Sequence, residues 1–280
     1  MEKQRRVAAI HDISGIGKCS LTAALPVISA AGIEAAALPT AVLSTHTGDI
    51  EGYTYRDLTS DLPAIAAHWH KLGIEFDGIY SGFLGSTEQV EMVCNFIDTF
   101  GGKDCVILVD PAMADSGRMY TTFDGAFAKE MAKLCGKADI IVPNLTEAAF
   151  LLGEEYFEPP YSKDYIEGLL TRLSALGPQK IVLTGVSFSE NEIGCAVFDR
   201  GEVHYRFSEK YDGIYYGTGD LFASALIGAY MRGKDIFESA DIALDFTCGA
   251  IRRTHNAKTD TRFGVNFEQG IGDYIKKLGG

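Results

Sequence analysis

A wound α/β fold, with a mainly parallel central sheet, helices on both faces and a small antiparallel hairpin, is what this 280-residue sequence predicts. Three observations carry that expectation. Six short apolar runs are each bounded by Gly, Pro, Asp or Asn, as strands buried on both faces should be. Longer segments with helical spacing separate them, and repeated strand–helix alternation builds a parallel sheet. Two later runs break the alternation across a short polar turn, as hairpin strands do.

In chain order, strands are expected at residues 7–10, 35–38, 78–81, 106–110, 140–143 and 180–184. Helices are expected at 20–31, 58–72, 87–99, 123–135, 146–152 and 163–176. The hairpin is 194–198 with 202–207, joined by Asp199-Arg200-Gly201, and the chain is mostly helical from Leu221 onward. No internal repeat or composition break appears, so residues 1–280 are read as one domain.

Hydrophobic residues make up 46% and charged residues 22%, the usage of a compact soluble globule. A formal net charge of −13 argues against nucleic-acid and anionic-membrane surfaces, which need clustered Lys and Arg. An anionic ligand would therefore have to be met by local dipoles or a metal ion. The start, Met1-Glu2-Lys3-Gln4-Arg5-Arg6, runs into a short strand with no apolar stretch long enough for a signal or a membrane span, so a cytoplasmic location is expected. Cys19, Cys94, Cys105, Cys135, Cys195 and Cys248 show no C-x-x-C spacing and read as small core residues.

In an open parallel sheet, ligands bind beyond the carboxyl ends of the strands, and the polar residues worth weighing follow strands. The most informative stretch is Gly217-Thr218-Gly219-Asp220, followed by an apolar helix. Successive backbone amides at a helix mouth form a concavity for an anion, favoured by the helix dipole. Asp220 then stands where it could accept a proton from a hydroxyl attacking a phosphoryl group. The competing reading is a simple helix cap.

His11-Asp12-Ile13-Ser14-Gly15-Ile16-Gly17-Lys18-Cys19-Ser20 is expected to be a loop between the first strand and first helix. Asp12 and Cys19 break a P-loop pattern, and Ser20 stands where a dinucleotide motif needs its third glycine. Asp12 and Ser14 suit a neutral or cationic ring better than a pyrophosphate. A tight turn capped by Asp12 is the alternative.

Asp110, at a strand end before Pro111, is a reasonable Mg²⁺-side carboxylate, because hard Mg²⁺ is shared between carboxylates, nucleotide phosphates and water. It also suits an ordinary turn. Asn144 and Glu147 form near-ideal capping-box spacing after Pro143, or else face Asp110 and hold the metal largely through water. Thr184 ends the sixth strand. His68 and His70, two apart on a helix, do not share a face.

Together the motifs resemble the ribokinase-like superfamily and, within it, the pyridoxal kinase family. The resemblance runs over nearly the whole chain. It rests on Ser44-Thr45-His46-Thr47-Gly48, Tyr80-Ser81-Gly82-Phe83-Leu84-Gly85-Ser86, Asp110-Pro111-Ala112-Met113, Pro143-Asn144-Leu145-Thr146-Glu147 and Gly217-Thr218-Gly219-Asp220. It implies transfer of the ATP γ-phosphate to the 5′-hydroxymethyl of pyridoxal, pyridoxine or pyridoxamine. It also implies Mg²⁺ with ATP, in some members a monovalent cation, and a homodimer. By the same resemblance Asp220 is the base and Gly217, Thr218 and Gly219 the anion hole. Asp110, Asn144 and Glu147 fall on the Mg–ATP side, Thr184 and Gly185 lie near the nucleotide, and Asp12, Thr47 and Tyr80 contact the pyridine.

One departure matters: many pyridoxal kinases carry Ser-His where this chain has Asp12-Ile13, and Asp12-Ile13-Ser14-Gly15 is closer to hydroxymethylpyrimidine kinases. Asp12 would favour a substrate with a protonated nitrogen. Hydroxymethylpyrimidine phosphorylation is the alternative activity, and a non-catalytic vitamer or nucleotide sensor the alternative class. Residues 48–57 or 115–122 are the expected lid.

Overall fold

The computed structural model describes residues 3–121 and 123–279 of the chain. Its first half contains β1 (Arg6–Ile16), α1 (Leu21–Ala30), β2 (Glu34–Thr45), β3 (Tyr55–Asp57), α2 (Leu62–Lys71), β4 (Gly78–Ser81), α3 (Thr87–Phe100) and β5 (Val106–Val109). A two-strand ribbon, β6 (Ala114–Asp115) with β7 (Arg118–Met119), precedes α4 (Gly125–Cys135), β8 (Ile140–Ile141), α5 (Leu145–Leu152) and α6 (Lys163–Ser174). Then come β9 (Lys180–Val186), β10 (Glu192–Asp199), β11 (Glu202–Glu209), α7 (Thr218–Met231), α8 (Ile236–Ala257) and α9 (Ile271–Lys277).

The nine-stranded sheet has the order β11-β10-β9-β8-β5-β4-β1-β2-β3. Its interior pairs, from β9 through to β2, are parallel, whereas β10 runs antiparallel to both its neighbours and β3 antiparallel to β2. Val7, Ala8, Ala9 and Ile10 of β1 are all fully buried because each face of the sheet carries a core. One core joins the sheet to α1, α7, α8 and α9, the other to α2 through α6. The helices begin where side chains satisfy first-turn amides: Ser86 for α3, Asp124 for α4, Asn144 for α5, Ser162 for α6 and Asp235 for α8.

The strand–helix alternation and the hairpin stand as expected, with boundary differences. The main correction concerns residues 11–16, read from sequence as a loop. They continue β1, so Asp12 and Ser14 are strand residues. His11 faces Pro39, and the register then slips so that Ile13 faces Val42. Pro39 has no N–H to give the ladder, and a sheet answers that loss with an irregularity. The last helical turns of the sequence reading also move: α7 starts at Thr218 rather than after Asp220.

β1 pairs with β2 on one side and β4 on the other. The chain steps from β1 to β2 in one direction and fills β4, β5, β8 and β9 in the other, which makes the β1/β4 boundary the topological switch point. Crevices at such points, beyond the carboxyl ends, are where open α/β sheets bind ligands.

Of the two expected lids, residues 48–57 are partly tied down. Tyr55–Asp57 is an edge strand, and Tyr216 hydrogen-bonds Asp49. Residues 115–121 carry part of the β6–β7 ribbon, docked through Gly117 N to Thr146 Oγ1 at 3.0 Å. Thr122, at the end of that expected lid, lies outside the described residues. No helix among the described residues is long and apolar enough to cross a membrane.

Candidate active site

Asp220 occupies the third position of α7, and the helix cap is Gly217 at φ 73°. A Cβ at residue 217 would run into the Lys18 carbonyl, so both the left-handed turn and the close approach require glycine. Asp220 is therefore not the cap that the simpler reading offered. The first helical bond runs from Leu221 N to the Gly217 carbonyl at 3.0 Å. The amides of Thr218, Gly219 and Asp220 precede it, and they have no intrahelical acceptor. With Gly217 as the cap, the amides without an intrahelical acceptor run from residue 217 to residue 220 and so include the expected Gly217, Thr218 and Gly219.

The Asp220 side chain is 16% exposed, and its Oδ1 lies 3.8 Å from Nδ1 of His11. Burial pushes its carboxyl up to about 7, the charge of Asp12 adds to this and the Ser20 amide opposes it. A carboxyl at that value is half ionised near neutrality, where a general base works best.

Asp12 is 4% exposed, and its carboxylate accepts from the Ser20 hydroxyl at 2.5 Å and the Ser14 hydroxyl at 3.2 Å. Burial raises its carboxyl, and those two hydroxyls hold the rise back. Here Asp12 holds Ser20 and Ser14 together at the carboxyl end of β1. Tyr80 is likewise fully buried and forms a wall, edge-on to His11 at 4.3 Å between centroids. Thr47 is exposed in the turn after β2.

On the other side, Asp110 follows β5, with its Oδ2 3.9 Å from the point where Gly219 would carry a Cβ. It is 6% exposed, and burial followed by the charges of Glu147 and Asp220 holds its carboxyl well above the usual range. Glu147 is pushed up to about 8 by burial, against amides of Asn144, Met113 and Ala114.

Asn144 and Glu147 form the capping box of α5. Glu147 accepts from Asn144 N at 2.8 Å and Met113 N at 3.2 Å, while Asn144 accepts from Glu147 N and donates to the Ala114 carbonyl. Each Glu147 oxygen thus accepts one backbone amide, which fixes the carboxylate in the wall behind Asp110. Asp110 does fit Mg²⁺: no donor among the described residues reaches its carboxylate, it faces the α7 amides, and its repulsion with two other carboxylates is relieved by a cation. One carboxylate completed by phosphate oxygens and water is a common Mg²⁺ arrangement. Among the described residues, no cluster of three or more His, Cys, Asp or Glu forms a ready-made cage. Thr184, half-buried, gives its amide to the Pro143 carbonyl at 2.9 Å, so it and the exposed Gly185 stand beside Asn144 at the same sheet end.

Two residues at the centre were missed from sequence. Ser20 sits at φ 50° and ψ −135°, with its hydroxyl turned to Asp12 instead of capping α1. A position that resists ordinary residues was hinted at where the dinucleotide pattern wanted glycine. His11 gave no signal beyond preceding Asp12.

A wound α/β sheet whose carboxyl ends gather an amide-lined helix mouth and two facing carboxylates, Asp220 and Asp110, has the arrangement expected of a small-molecule kinase. Residues 17–265 match the family model described as phosphomethylpyrimidine kinase, and the chain belongs to this pyridoxal kinase/ribokinase-like family. A candidate phosphomethylpyrimidine kinase of Bacteroides thetaiotaomicron VPI-5482, in an orthorhombic crystal form with pyridoxal, is 38% identical with a TM-score of 0.92. The match covers 97% of this chain and 96% of that one. Pyridoxal kinase from Lactobacillus plantarum is 32% identical with a TM-score of 0.90, over 98% of each chain. Hydroxymethylpyrimidine/phosphomethylpyrimidine kinase of Aquifex aeolicus (strain VF5) is 29% identical over 182 residues, 63% of this chain and 68% of that protein.

Proposed function

We propose that this kinase transfers the γ-phosphoryl group of ATP to the 5′-hydroxymethyl group of a B6 vitamer, with Asp220 as the general base. The observation that carries the reading is the Asp220 carboxyl itself. It is half-buried, raised to about 7, and set at the mouth of α7 beside amides that have no intrahelical acceptor. The amides of residues 218–220 and the helix dipole hold the transferring group, and Asp220 takes the proton of the attacking hydroxyl. Mg²⁺ bound with ATP neutralises phosphate charge and would be held on the protein side by Asp110. Thr184 and Gly185 border the nucleotide, with Asn144 and Glu147 fixing the wall behind Asp110. Thr47 and Tyr80 bound the acceptor side, where His11 and Asp12 fix the floor.

Hydroxymethylpyrimidine is the second acceptor to weigh, supported by the matched family description and the Aquifex relative. Pyridoxal is favoured by the resemblance of Tyr80 to Ser86 and by the pyridoxal named with the Bacteroides relative. The test is Mg-ATP with pyridoxal, pyridoxine, pyridoxamine and hydroxymethylpyrimidine in separate reactions, read by product mass. A 5′-phosphorylated vitamer is the expected product. Phosphate on the pyrimidine alone would reverse the assignment, and no acceptor-dependent ATP consumption would mark a sensor.

A further inference from the structure

His11 is a buried titratable group at the site to which the mechanism above gives no chemical step. Its ring is fully buried, and neither nitrogen has a hydrogen-bond partner among the described residues. Burying an imidazole in that state is costly unless something at the site repays it. The ring has no freedom to look elsewhere. Tyr80 stands edge-on at 4.3 Å and 78°, and a Cβ at residue 82 would collide with the imidazole, so Gly82 exists to admit it. The Pro39-linked register slip begins at His11, at the β1/β4 switch point. The group within reach is the base, with Nδ1 3.8 Å from Oδ1 of Asp220.

We propose that His11 is a positioning residue for Asp220: its Nδ1–H donates to Oδ1 of the carboxylate and fixes the rotamer that faces the acceptor hydroxyl. The inference rests on the reading of Asp220 as the base. Burial lowers the imidazole to about 3, so the ring is uncharged and presents one N–H and one lone pair. The 3.8 Å separation is beyond a hydrogen bond and closes with a shift of about 1 Å, of the kind catalytic groups make when substrate docks.

Two substitutions separate this role from simple space-filling. His11→Phe keeps a ring against Tyr80 and removes the donor. His11→Asn loses the ring and keeps an amide able to donate from near the Nδ1 position. The expected pattern is a fall in kcat of about 10–100-fold for His11→Phe, the usual cost of losing an orienting partner, with the KM for ATP unchanged and most of the loss recovered in His11→Asn. Wild-type kcat in His11→Phe overturns the proposal, and so does His11→Asn impaired as deeply as His11→Phe.

A second measurement stands apart from activity: long-range ¹H–¹⁵N correlation of the His11 ring in the wild-type protein and in Asp220→Asn. A protonated Nδ1 whose shift moves in Asp220→Asn supports the proposal. An Nε2–H tautomer, or a ring insensitive to Asp220→Asn, overturns it even if no acceptor in the panel is phosphorylated. In that case the functional reading fails separately.

Discussion

The two ends of the sheet use carboxylates in opposite ways. At the amino ends, Asp77 accepts from Arg6 N at 2.8 Å and Asp139 from Ile107 N at 2.8 Å, so each closes off a strand's backbone. Basic residues stand nearby in pairs, Arg6 with Glu34 at 2.9 Å and Lys180 with Asp199 at 3.7 Å. At the carboxyl ends, Asp12, Asp110, Glu147 and Asp220 are gathered with no Lys or Arg paired to them among the described residues, and all four carboxyls are raised.

A groove of 540 Å³ lies at the amino ends, bordered by Arg5, Asp77, Lys180 and Asp199, where the charges are paired. Unrelieved charge marks the site better, because it stores a cost that only a cation and a polar substrate remove.

The sharpest test of that contrast removes the proposed base. Asp220→Asn is nearly isosteric and should lower turnover by about 10²–10⁴, with ATP affinity much less affected. Steady-state kinetics on the preferred acceptor checks it, and near-normal turnover would erase the functional difference between the two ends.

The next effect is on pH. The base must be ionised, so kcat/KM should fall about tenfold for each pH unit below an acid limb near 7. Asp12 and Asp110 interact with Asp220, so that limb belongs to the group of carboxyls taken together. A profile flat down to pH 5 would mean that burial does not shift this cluster.

Much of this contrast was legible in the sequence, and the exceptions share a cause. Gly217 and Asp220 could be found because a glycine turn, a carboxylate and an apolar helix are adjacent in the chain. The capping box of Asn144 and Glu147 was legible for the same reason. β1 beyond Ile10 was misread because Ser14 and Gly15 look like turn punctuation, whereas pairing with β2 decides the matter. β3, β6 and β7 are two or three residues long, below what periodicity can show. His11 and Ser20 owe their roles to α7, contributed from the far end of the chain. Local pattern carries nothing of the burial of His11, and only the missed third glycine of a dinucleotide motif points to the positive φ of Ser20.

A smaller effect appears in stability, and its sign is the reverse of most buried carboxylates that are ion-paired. The Asp220 carboxyl rises from an ordinary 3.8 to about 7 on folding, so between those values the native state holds a proton that the unfolded chain releases. The contribution of this group is therefore fully present below about pH 4 and is lost as pH rises through 7. Asp220→Asn should melt with the wild type at pH 4 and above it at pH 8, by a few degrees for each kcal/mol relieved in a chain of this size. Coincident melting curves at pH 8 would show that the charge is not stored in the fold.

The smallest effect is expected at the other end. Lys180 is 16% exposed at the side chain and pairs with Asp199 at 3.7 Å, beside the amino-end groove. A pair at that distance near the surface is worth at most about 1 kcal/mol, and no step of phosphoryl transfer reaches the amino ends of the strands. Lys180→Ala should therefore leave kcat and both KM values unchanged while lowering the melting temperature slightly. Kinetics and a thermal melt on one preparation decide it. If turnover falls in a protein that remains folded, the amino-end groove takes part in the reaction, and the division of labour between the two ends of the sheet is wrong.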